Sequence, residues 1–488
     1  MVFSSLFFLL VFLPANLILY FAARTVKTRN IILLVFSLIF YAWGEPVYIL
    51  ILLAMSFFCW LFSLKVENAR SDAGSKLWMA LATVVCIGMI GFFKYSGFIV
   101  TNINSAVGHE LLSVPRVSLP IGISFYTFQL LTYVVDVYRG EVPAQKKYWK
   151  VLLYAGLFHQ CVAGPIVRYG DIENELTERV SDIGSVSRGA SRFICGLAKK
   201  AVLANACGAV VDTLLISDAD IGNAALAAAN TALLEGRSAV TLWVGMAFYM
   251  LQIYLDFSAY SDMAIGMGLI CGFHYKENFD YPYTSFSVTE FWRRWHMSLG
   301  TFFRDYVYIP LGGNRKGKAR TILNMFVVWA LTGLWHGASW NFVLWGLYFF
   351  FFLMLEKLFL YKILNGRWFG RFYLIAVVYF GWIFFKFTDM SLVGTVFKGM
   401  FCMNDNPFVT FEAVNFIKKY VLFFVIAVLA CTPIVKKISV SLKKAATKSV
   451  PAFYLNGLAG VVLPVALLII SVLSLVGDSY NPFLYFQF

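Results

Sequence analysis

Long apolar segments recur along the whole chain and are separated by short basic segments, as in residues 3–23, 240–255 and 453–476. A helix that crosses a bilayer needs about 20 mostly apolar residues, because the hydrocarbon core is roughly 30 Å thick. Inside that core only helices and closed barrels satisfy every backbone polar group. The repeated segments therefore predict an all-α, polytopic membrane protein.

Composition supports one membrane domain over residues 1–488 in place of several soluble domains. Hydrophobic residues make up 60% of the chain and charged residues 14%, and the mean hydropathy is +0.74. The formal net charge is +14, but the basic residues lie mainly in short loops between apolar segments. This pattern is typical of positive-inside topology and of contact with anionic lipids, and it argues against a nucleic-acid partner.

The eight cysteines are scattered and show no Cys-x-x-Cys pair and no His/Cys cluster with metal-ligand spacing. We therefore expect neither disulfides nor a metal site. Residues 1–23 lack the basic start of a cleavable signal, so we interpret them as the first spanning helix.

Three segments have features that ordinary spans lack. Residues 151–166 are short for a span and end in glycine and proline, which favours a re-entrant segment. Residues 168–200 mix arginines and lysines with apolar residues, which indicates a cytoplasmic helical segment lying at the membrane interface. Asp256 and Asp262 are too far apart to pair on one helix face, so we expect them to cap a broken helix or to line a polar interior.

His336 is the most informative single residue. It lies within the apolar run 322–355, and in a helix that starts near residue 322 it would be about 20 Å from that start, which is deep in a bilayer. A lone histidine at such a position is often a satisfied core residue, but an ionisable group at that depth also indicates function. We expect nearby small residues to leave space around the imidazole, namely Gly333, Gly337 and Ala338. We expect nearby tryptophans to wall a pocket, namely Trp329, Trp335, Trp340 and Trp345.

A basic, aromatic block precedes that run and contains His296. Tryptophans and tyrosines interleaved with arginines are expected of amphipathic helices at a membrane interface, and this structural interpretation stays open. The same residues suit an anionic pyrophosphate. Arg293, Arg294, Arg315 and Lys316 are the candidates for charge-assisted bonds to a nucleotide-bearing acyl donor.

Several motifs, in this order, resemble the membrane-bound O-acyltransferase family, and specifically its bacterial polysaccharide branch typified by alginate O-acetyltransferase. The motifs are residues 118–128 (SLPIGISFYTF), residues 159–168 (HQCVAGPIVR), residues 256–264 (DFSAYSDMA), residues 291–299 (FWRRWHMSL) and Trp335-His336-Gly337. The resemblance spans most of the chain. It implies roughly 11 to 13 spanning or re-entrant helices around a central reaction chamber, with His336 as the catalytic histidine and His296 as the second polar residue.

The resemblance also implies the reaction. The donor would be cytoplasmic acetyl-CoA, used as a substrate with no bound cofactor, and the acceptor would be a hydroxyl of an extracellular or periplasmic polysaccharide. A separate exterior acetyltransferase resembling a serine esterase is the implied partner, and the implied location is the bacterial cytoplasmic membrane. Two alternatives stay open: a teichoic acid D-alanyl transferase, which takes its acyl group from a carrier protein, and a non-enzymatic transporter or flippase.

For the mechanism we expect neutral His336 to act as a general base toward the acceptor hydroxyl. The carboxyl-terminal sequence, residues 480–488, allows a second route. Its Phe483-x-Tyr485-x-x-Phe488 pattern resembles the tail of a small partner in the D-alanyl system, and on that likeness Tyr485 would carry the acetyl group transiently. The alternative is an aromatic anchor at the membrane interface.

Overall fold

The protein is almost entirely helical. A computed structural model describes residues 1–115, 117–162, 164–216, 224–364, 367–477 and 483, and the chain is 76% helical, with no strand among the described residues. The all-α prediction is confirmed. In chain order the helices are α1 (Leu13–Ala22), α2 (Val26–Gly44), α3 (Ile49–Glu67), α4 (Asp72–Ile90), α5 (Ser96–Val107), α6 (Ile123–Tyr138), α7 (Tyr148–Gly156), α8 (Tyr169–Ile172), α9 (Ile183–Ala198), α10 (Asn205–Leu214), α11 (Ala224–Glu235), α12 (Ala239–Ile270), α13 (Val288–Arg294), α14 (Met297–Phe303), α15 (Gly317–His336), α16 (Trp340–Leu355), α17 (Tyr361–Leu364), α18 (Trp368–Lys386), α19 (Met390–Met400), α20 (Phe411–Ala430), α21 (Ile434–Ala446) and α22 (Val450–Gly477).

Wider π-helical turns begin or extend several helices: Phe8–Phe12, Gly91–Tyr95, Lys199–Ala204, Arg304–Tyr308 and Glu356–Leu360. Such turns replace one hydrogen-bond register by another and are frequent at functional sites. Because they are continuous with the flanking helices, α4 and α5 form one long helix, and so do α9 and α10.

Nine helices among the described residues are long and apolar enough to cross a membrane: Val26–Gly44, Ile49–Glu67, Asp72–Val107, Ile183–Leu214, Ala239–Ile270, Trp340–Leu364, Trp368–Lys386, Phe411–Ala430 and Val450–Gly477. A shorter apolar helix, Phe8–Ala22, takes the place of the predicted first span. The protein is thus a multi-pass membrane protein.

The described chain divides into two compact units. The first contains Met1–Gly196 and Tyr260–Asn278, and the second contains Leu197–Ala259 and residues 279–483. Each is therefore built from segments distant in sequence. The single membrane domain over residues 1–488 stays a prediction.

In the first unit α3, α4 and α6 pack against one another, and α7 packs against α2 and α3. The predicted re-entrant segment consists of α7 followed by a buried, non-helical stretch. The predicted break is present, and its depth in the membrane stays a prediction.

The two aspartates of α12 form ion pairs and cap no helix. In the first unit Asp262 Oδ1 lies 2.9 Å from Arg192 Nη2, and in the second unit Asp256 Oδ1 lies 2.6 Å from Lys200 Nζ. The predicted helix break is wrong, because α12 runs unbroken from Ala239 to Ile270. The expectation that these carboxylates line a polar interior agrees with the burial of Asp256, which is 2% exposed.

The interfacial location of residues 168–200 stays a prediction, and the last residue of this segment, Lys200, forms the buried ion pair. Lys200 is 2% exposed, and it lies in the π-helical turn that joins α9 to α10. The helix that begins at Ile183 continues through this turn to Leu214. A buried ammonium costs free energy unless it is paired, which accounts for the close Asp256 contact.

Candidate active site

Two short helices of the second unit, α13 and α14, hold His296 between them. Local sequence fixes the start of α13: Ser287 Oγ accepts a hydrogen bond from the Glu290 backbone N–H at 3.1 Å, and the Glu290 carboxylate accepts one from the Phe286 N–H at 2.8 Å. This is a variant of the capping box, in which the acid bonds one residue further back. The helix that leads to His296 therefore has a defined first turn.

A buried carboxylate from another helix secures the same turn. Glu356 is 1% exposed and follows α16, and its two oxygens accept hydrogen bonds from the backbone N–H groups of Val288 and Thr289 at 2.6 and 2.8 Å. These bonds satisfy amide groups that a helix leaves unpaired at its start. Sequence reasoning missed Glu356, because a single acid at the end of an apolar run carries no periodic signal.

The backbone of His296 is left-handed, with φ at 46°. A non-glycine residue seldom adopts this conformation, which costs about 1–3 kcal/mol and is concentrated at functional sites. His296 is 2% exposed, and its ring contacts those of Phe257 and Trp335 at centroid distances of 4.8 and 5.8 Å. Burial lowers the pKa of His296 well below the ordinary value, so the imidazole is neutral at physiological pH.

His336 is the last residue of α15 and is held by aromatic rings. Its ring lies 4.8 Å from Trp345, 5.0 Å from Trp335 and 5.2 Å from Phe385, measured between centroids. His336 is 5% exposed. The predicted apolar run is thus two helices, and His336 lies at the break between them, not midway along one helix. Its depth in the membrane stays a prediction.

The glycines beside His336 allow close packing of α15 against α16. A Cβ atom on Gly346 would lie 3.2 Å from Gly333 Cα and would collide with the Trp329 carbonyl oxygen, and one on Gly337 would collide with the Phe342 ring. The expectation that Gly333 and Gly337 leave space around the imidazole is therefore wrong, because the partner helix fills that space.

The four tryptophans predicted to wall a pocket have different positions. Trp335 and Trp345 contact the His336 ring, and Trp329 lines the cavity described below. Trp340 is 55% exposed, so its predicted role is wrong. Trp335 contacts both histidine rings and thereby brings His296 and His336 to one site.

A cavity of about 480 Å³ adjoins His296, whereas Trp335 and His336 are not among the residues that line it. His296 lines it, together with aromatic and apolar side chains and three cations. The lining residues are Thr289, Trp292, Arg293, Trp295, His296, Leu299, Gly300, Phe303, Arg304, Tyr308, Met325, Val328, Trp329, Thr332, Leu353, Lys357 and Tyr361. An apolar chamber with a few cations and one neutral imidazole suits an uncharged reacting group attached to an anionic carrier.

The four predicted donor-binding residues are not all in one place. Arg293 lines the cavity, whereas Arg294 pairs with Glu290 at 2.5 Å. Arg315 and Lys316 lie in the turn before α15 and are not among the residues that line the cavity. Arg304 and Lys357 also line the cavity, but they were not predicted from the sequence as donor-binding residues. The only sequence signal for Lys357 was its position as a basic residue just after an apolar segment.

Tyr485 and most of its predicted motif lie outside the described residues. The exception is Phe483, which is 1% exposed and whose ring centroid lies 4.7 Å from Lys200 Nζ.

Comparison with known proteins decides the family. Residues 141–397 match the membrane-bound O-acyltransferase family. The chain belongs to this family. The membrane-bound O-acyltransferase match contains α13 to α16 and both histidines, and it decides against a transporter. The protein is accordingly an acyltransferase.

Curated relatives agree with this assignment. The chain is 35% identical to a probable alginate O-acetylase of Pseudomonas putida over the whole of both chains. It is 28% identical to a peptidoglycan O-acetyltransferase of Helicobacter pylori over 83% of this chain and 80% of the relative. A teichoic acid D-alanyltransferase of Bacillus subtilis is 26% identical over 49% of this chain and 58% of its own.

Proposed function

We propose that this O-acyltransferase takes an acetyl group from cytoplasmic acetyl-CoA and delivers it across the bacterial cytoplasmic membrane to hydroxyls of an exterior polysaccharide, through a separate exterior acetyltransferase. The observation that carries the proposal is the cavity lined by neutral His296, whose ring contacts Trp335, which in turn contacts the ring of His336. The names of the two relatives from Pseudomonas putida and Helicobacter pylori support acetyl as the group and a polysaccharide as the final acceptor.

In the proposed step His336 is the general base. The acceptor hydroxyl oxygen forms a bond to the thioester carbonyl carbon while His336 accepts the hydroxyl proton. The carbon–sulfur bond then breaks, and the thiol of CoA leaves with the proton that His336 returns. Positioned proton transfer of this kind contributes about 10²–10⁴ in rate.

His296 is proposed to polarise the thioester carbonyl. Ser298 Oγ lies 3.4 Å from His296 Nδ1, and a hydroxyl donating there leaves the proton of the neutral ring on Nε2. An N–H donor aimed at a developing oxyanion is worth about 10²–10³ in rate. Arg293 and Lys357 are proposed to bind the phosphates of the donor.

The D-alanyl alternative differs in its donor, which is a carrier protein. The shorter match to the D-alanyltransferase favours a small nucleotide thioester. The test is purified protein in lipid nanodiscs supplied separately with radiolabelled acetyl-CoA and with D-alanyl carrier protein. Turnover of acetyl-CoA alone supports the proposal, and turnover of the carrier-bound group alone overturns it.

The acceptor is tested in cells. We expect mass spectrometry of envelope glycans to show an acetyl ester on one polymer that disappears when the protein is inactivated. An unchanged acetyl content of every envelope polysaccharide would contradict the proposed acceptor class.

A further inference from the structure

A buried guanidinium in the first unit has more hydrogen-bond donors than partners. Arg179 is 7% exposed, and its Nε donates to Tyr20 Oη and to the Cys271 carbonyl at 3.0 and 2.9 Å. Its Nη1 donates to Asn30 Oδ1 and to the Glu175 carbonyl at 2.5 and 3.0 Å. Its Nη2 is buried without a hydrogen-bond partner among the described residues.

All four of these acceptors are neutral, so they leave the Arg179 charge uncompensated. The Glu175 carboxylate is engaged by His274, with its oxygens 2.7 Å from the ring Nδ1 and 3.1 Å from the backbone nitrogen. Within the described part of the chain, no carboxylate forms an ion pair with Arg179. A buried cation without a counter-charge is destabilising, which favours an anion over a water molecule as the missing partner.

His159 provides a second donor close to Arg179. The Arg179 side chain lies over the Phe273 ring at 4.4 Å, Phe273 stacks on Tyr275, and Tyr275 Oη lies 3.3 Å from His159 Nδ1. Burial, and then the Arg179 charge, lowers the pKa of His159, so the ring is neutral. With Tyr275 donating to Nδ1, the ring proton is on Nε2, which is buried and has no partner among the residues that the structure describes.

Asn16 lies in the same cluster by helix register. Phe12, Asn16 and Tyr20 are spaced by four and lie on one face of the first apolar helix. Phe12 contacts Phe158, the neighbour of His159, and Tyr20 bonds to Arg179, so Asn16 lies between these two contacts. Asn16 is fully buried, and neither atom of its amide has a hydrogen-bond partner within the described chain.

We propose that Arg179, His159 and Asn16 bind a small inorganic anion, with chloride as the probe, inside the first unit. Their N–H groups supply the donors, and the guanidinium supplies the charge. Buried polar groups without partners are rare in folded proteins, and three in one cluster, one of them a cation, point to a ligand. The anion ties α1 to the buried stretch after α7 and is independent of the acyl-transfer site.

The experiment compares thermal unfolding of the purified wild type in sodium chloride and in sodium gluconate at matched ionic strength. We expect a saturable rise in the unfolding midpoint with chloride. Arg179→Gln should abolish the chloride response, and Asn16→Leu should weaken apparent chloride affinity about tenfold, the cost of one hydrogen bond to a charged group.

Arg192→Gln is the matched control, because Arg192 is a paired arginine of the same unit. It should lower the midpoint in both salts and keep the chloride response. A wild type insensitive to chloride, which is the result expected if water fills the cluster, overturns the proposal. An Asn16→Leu variant with wild-type chloride affinity also overturns it, and this readout holds if Arg179→Gln fails to fold.

Discussion

His336 and His296 are held by different means, although both rings contact Trp335. Aromatic rings surround His336 at the end of α15, whereas a left-handed backbone and two short helices place His296. The sequence motifs predicted both residues. They did not predict that Trp335 joins them or that the glycines serve helix packing, because those facts depend on which helix faces which.

Arg293 and Arg294 are adjacent in sequence, so variants of the two can be compared to test which residue binds the donor. Arg293→Gln removes a cation that lines the cavity, so we expect a higher KM for acetyl-CoA and little change in kcat. Arg294→Gln is the control, because its partner is Glu290. Steady-state kinetics in nanodiscs measures both variants. Equal KM values for Arg293→Gln and the wild type would remove Arg293 from the donor site.

Tyr485 stays a predicted acetyl carrier, with an interfacial aromatic anchor as the alternative. Tyr485→Phe keeps the aromatic ring and deletes the phenol oxygen that would bear the acetyl ester. We expect glycan acetylation in cells to fall while turnover of acetyl-CoA by purified protein persists. Undiminished glycan acetylation would leave only the anchor.

At the scale of elements, α13 depends on a carboxylate distant in sequence. Glu356→Leu removes both acceptors of the Val288 and Thr289 N–H groups, and hydrogen bonds to charged groups are worth about 1.5–3 kcal/mol each. We expect the transfer rate to fall because α13 no longer fixes His296. Glu356→Gln keeps one acceptor oxygen and should restore part of the rate.

The control for Glu356 lies in the other unit. The Glu67 carboxylate also accepts a backbone hydrogen bond, from the Ala144 N–H at 2.8 Å. Glu67→Leu should lower the unfolding midpoint and leave kcat unchanged. If it reduces kcat as much as Glu356→Leu does, Glu356 acts only through overall stability.

The packing of α15 against α16 can also be tested at the scale of elements. Gly346→Ala forces a methyl group against the Trp329 carbonyl, and overpacking typically costs about 1–3 kcal/mol. We expect a lower unfolding midpoint and lower activity, because the same contact positions His336. Gly457→Ala is the control, since nothing lies within 4 Å of its Cβ position. Similar midpoints for both variants would contradict the packing role of Gly346.

For the whole molecule, composition and apolar periodicity predicted the class of fold, and the motifs predicted the family. The roles of charged residues that pair with residues distant in sequence were less predictable. Asp256 looked like a helix cap because Lys200, the residue that neutralises it, is distant in sequence. The charge pattern of residues 168–200 likewise did not reveal that Lys200 is buried and paired.

The proposed role of His336 as the general base for acyl transfer is tested most directly by the acetyl-transfer rate of a variant that lacks this side chain. The measurement is the rate of radiolabelled acetyl transfer by the purified His336→Ala variant at saturating acetyl-CoA. The control is His274→Ala, because the His274 side chain is 64% exposed and bonds to Glu175. With unchanged unfolding midpoints, we predict a rate lower by about 10²–10⁴ for His336→Ala and a wild-type rate for His274→Ala. A wild-type rate in folded His336→Ala would contradict the claim.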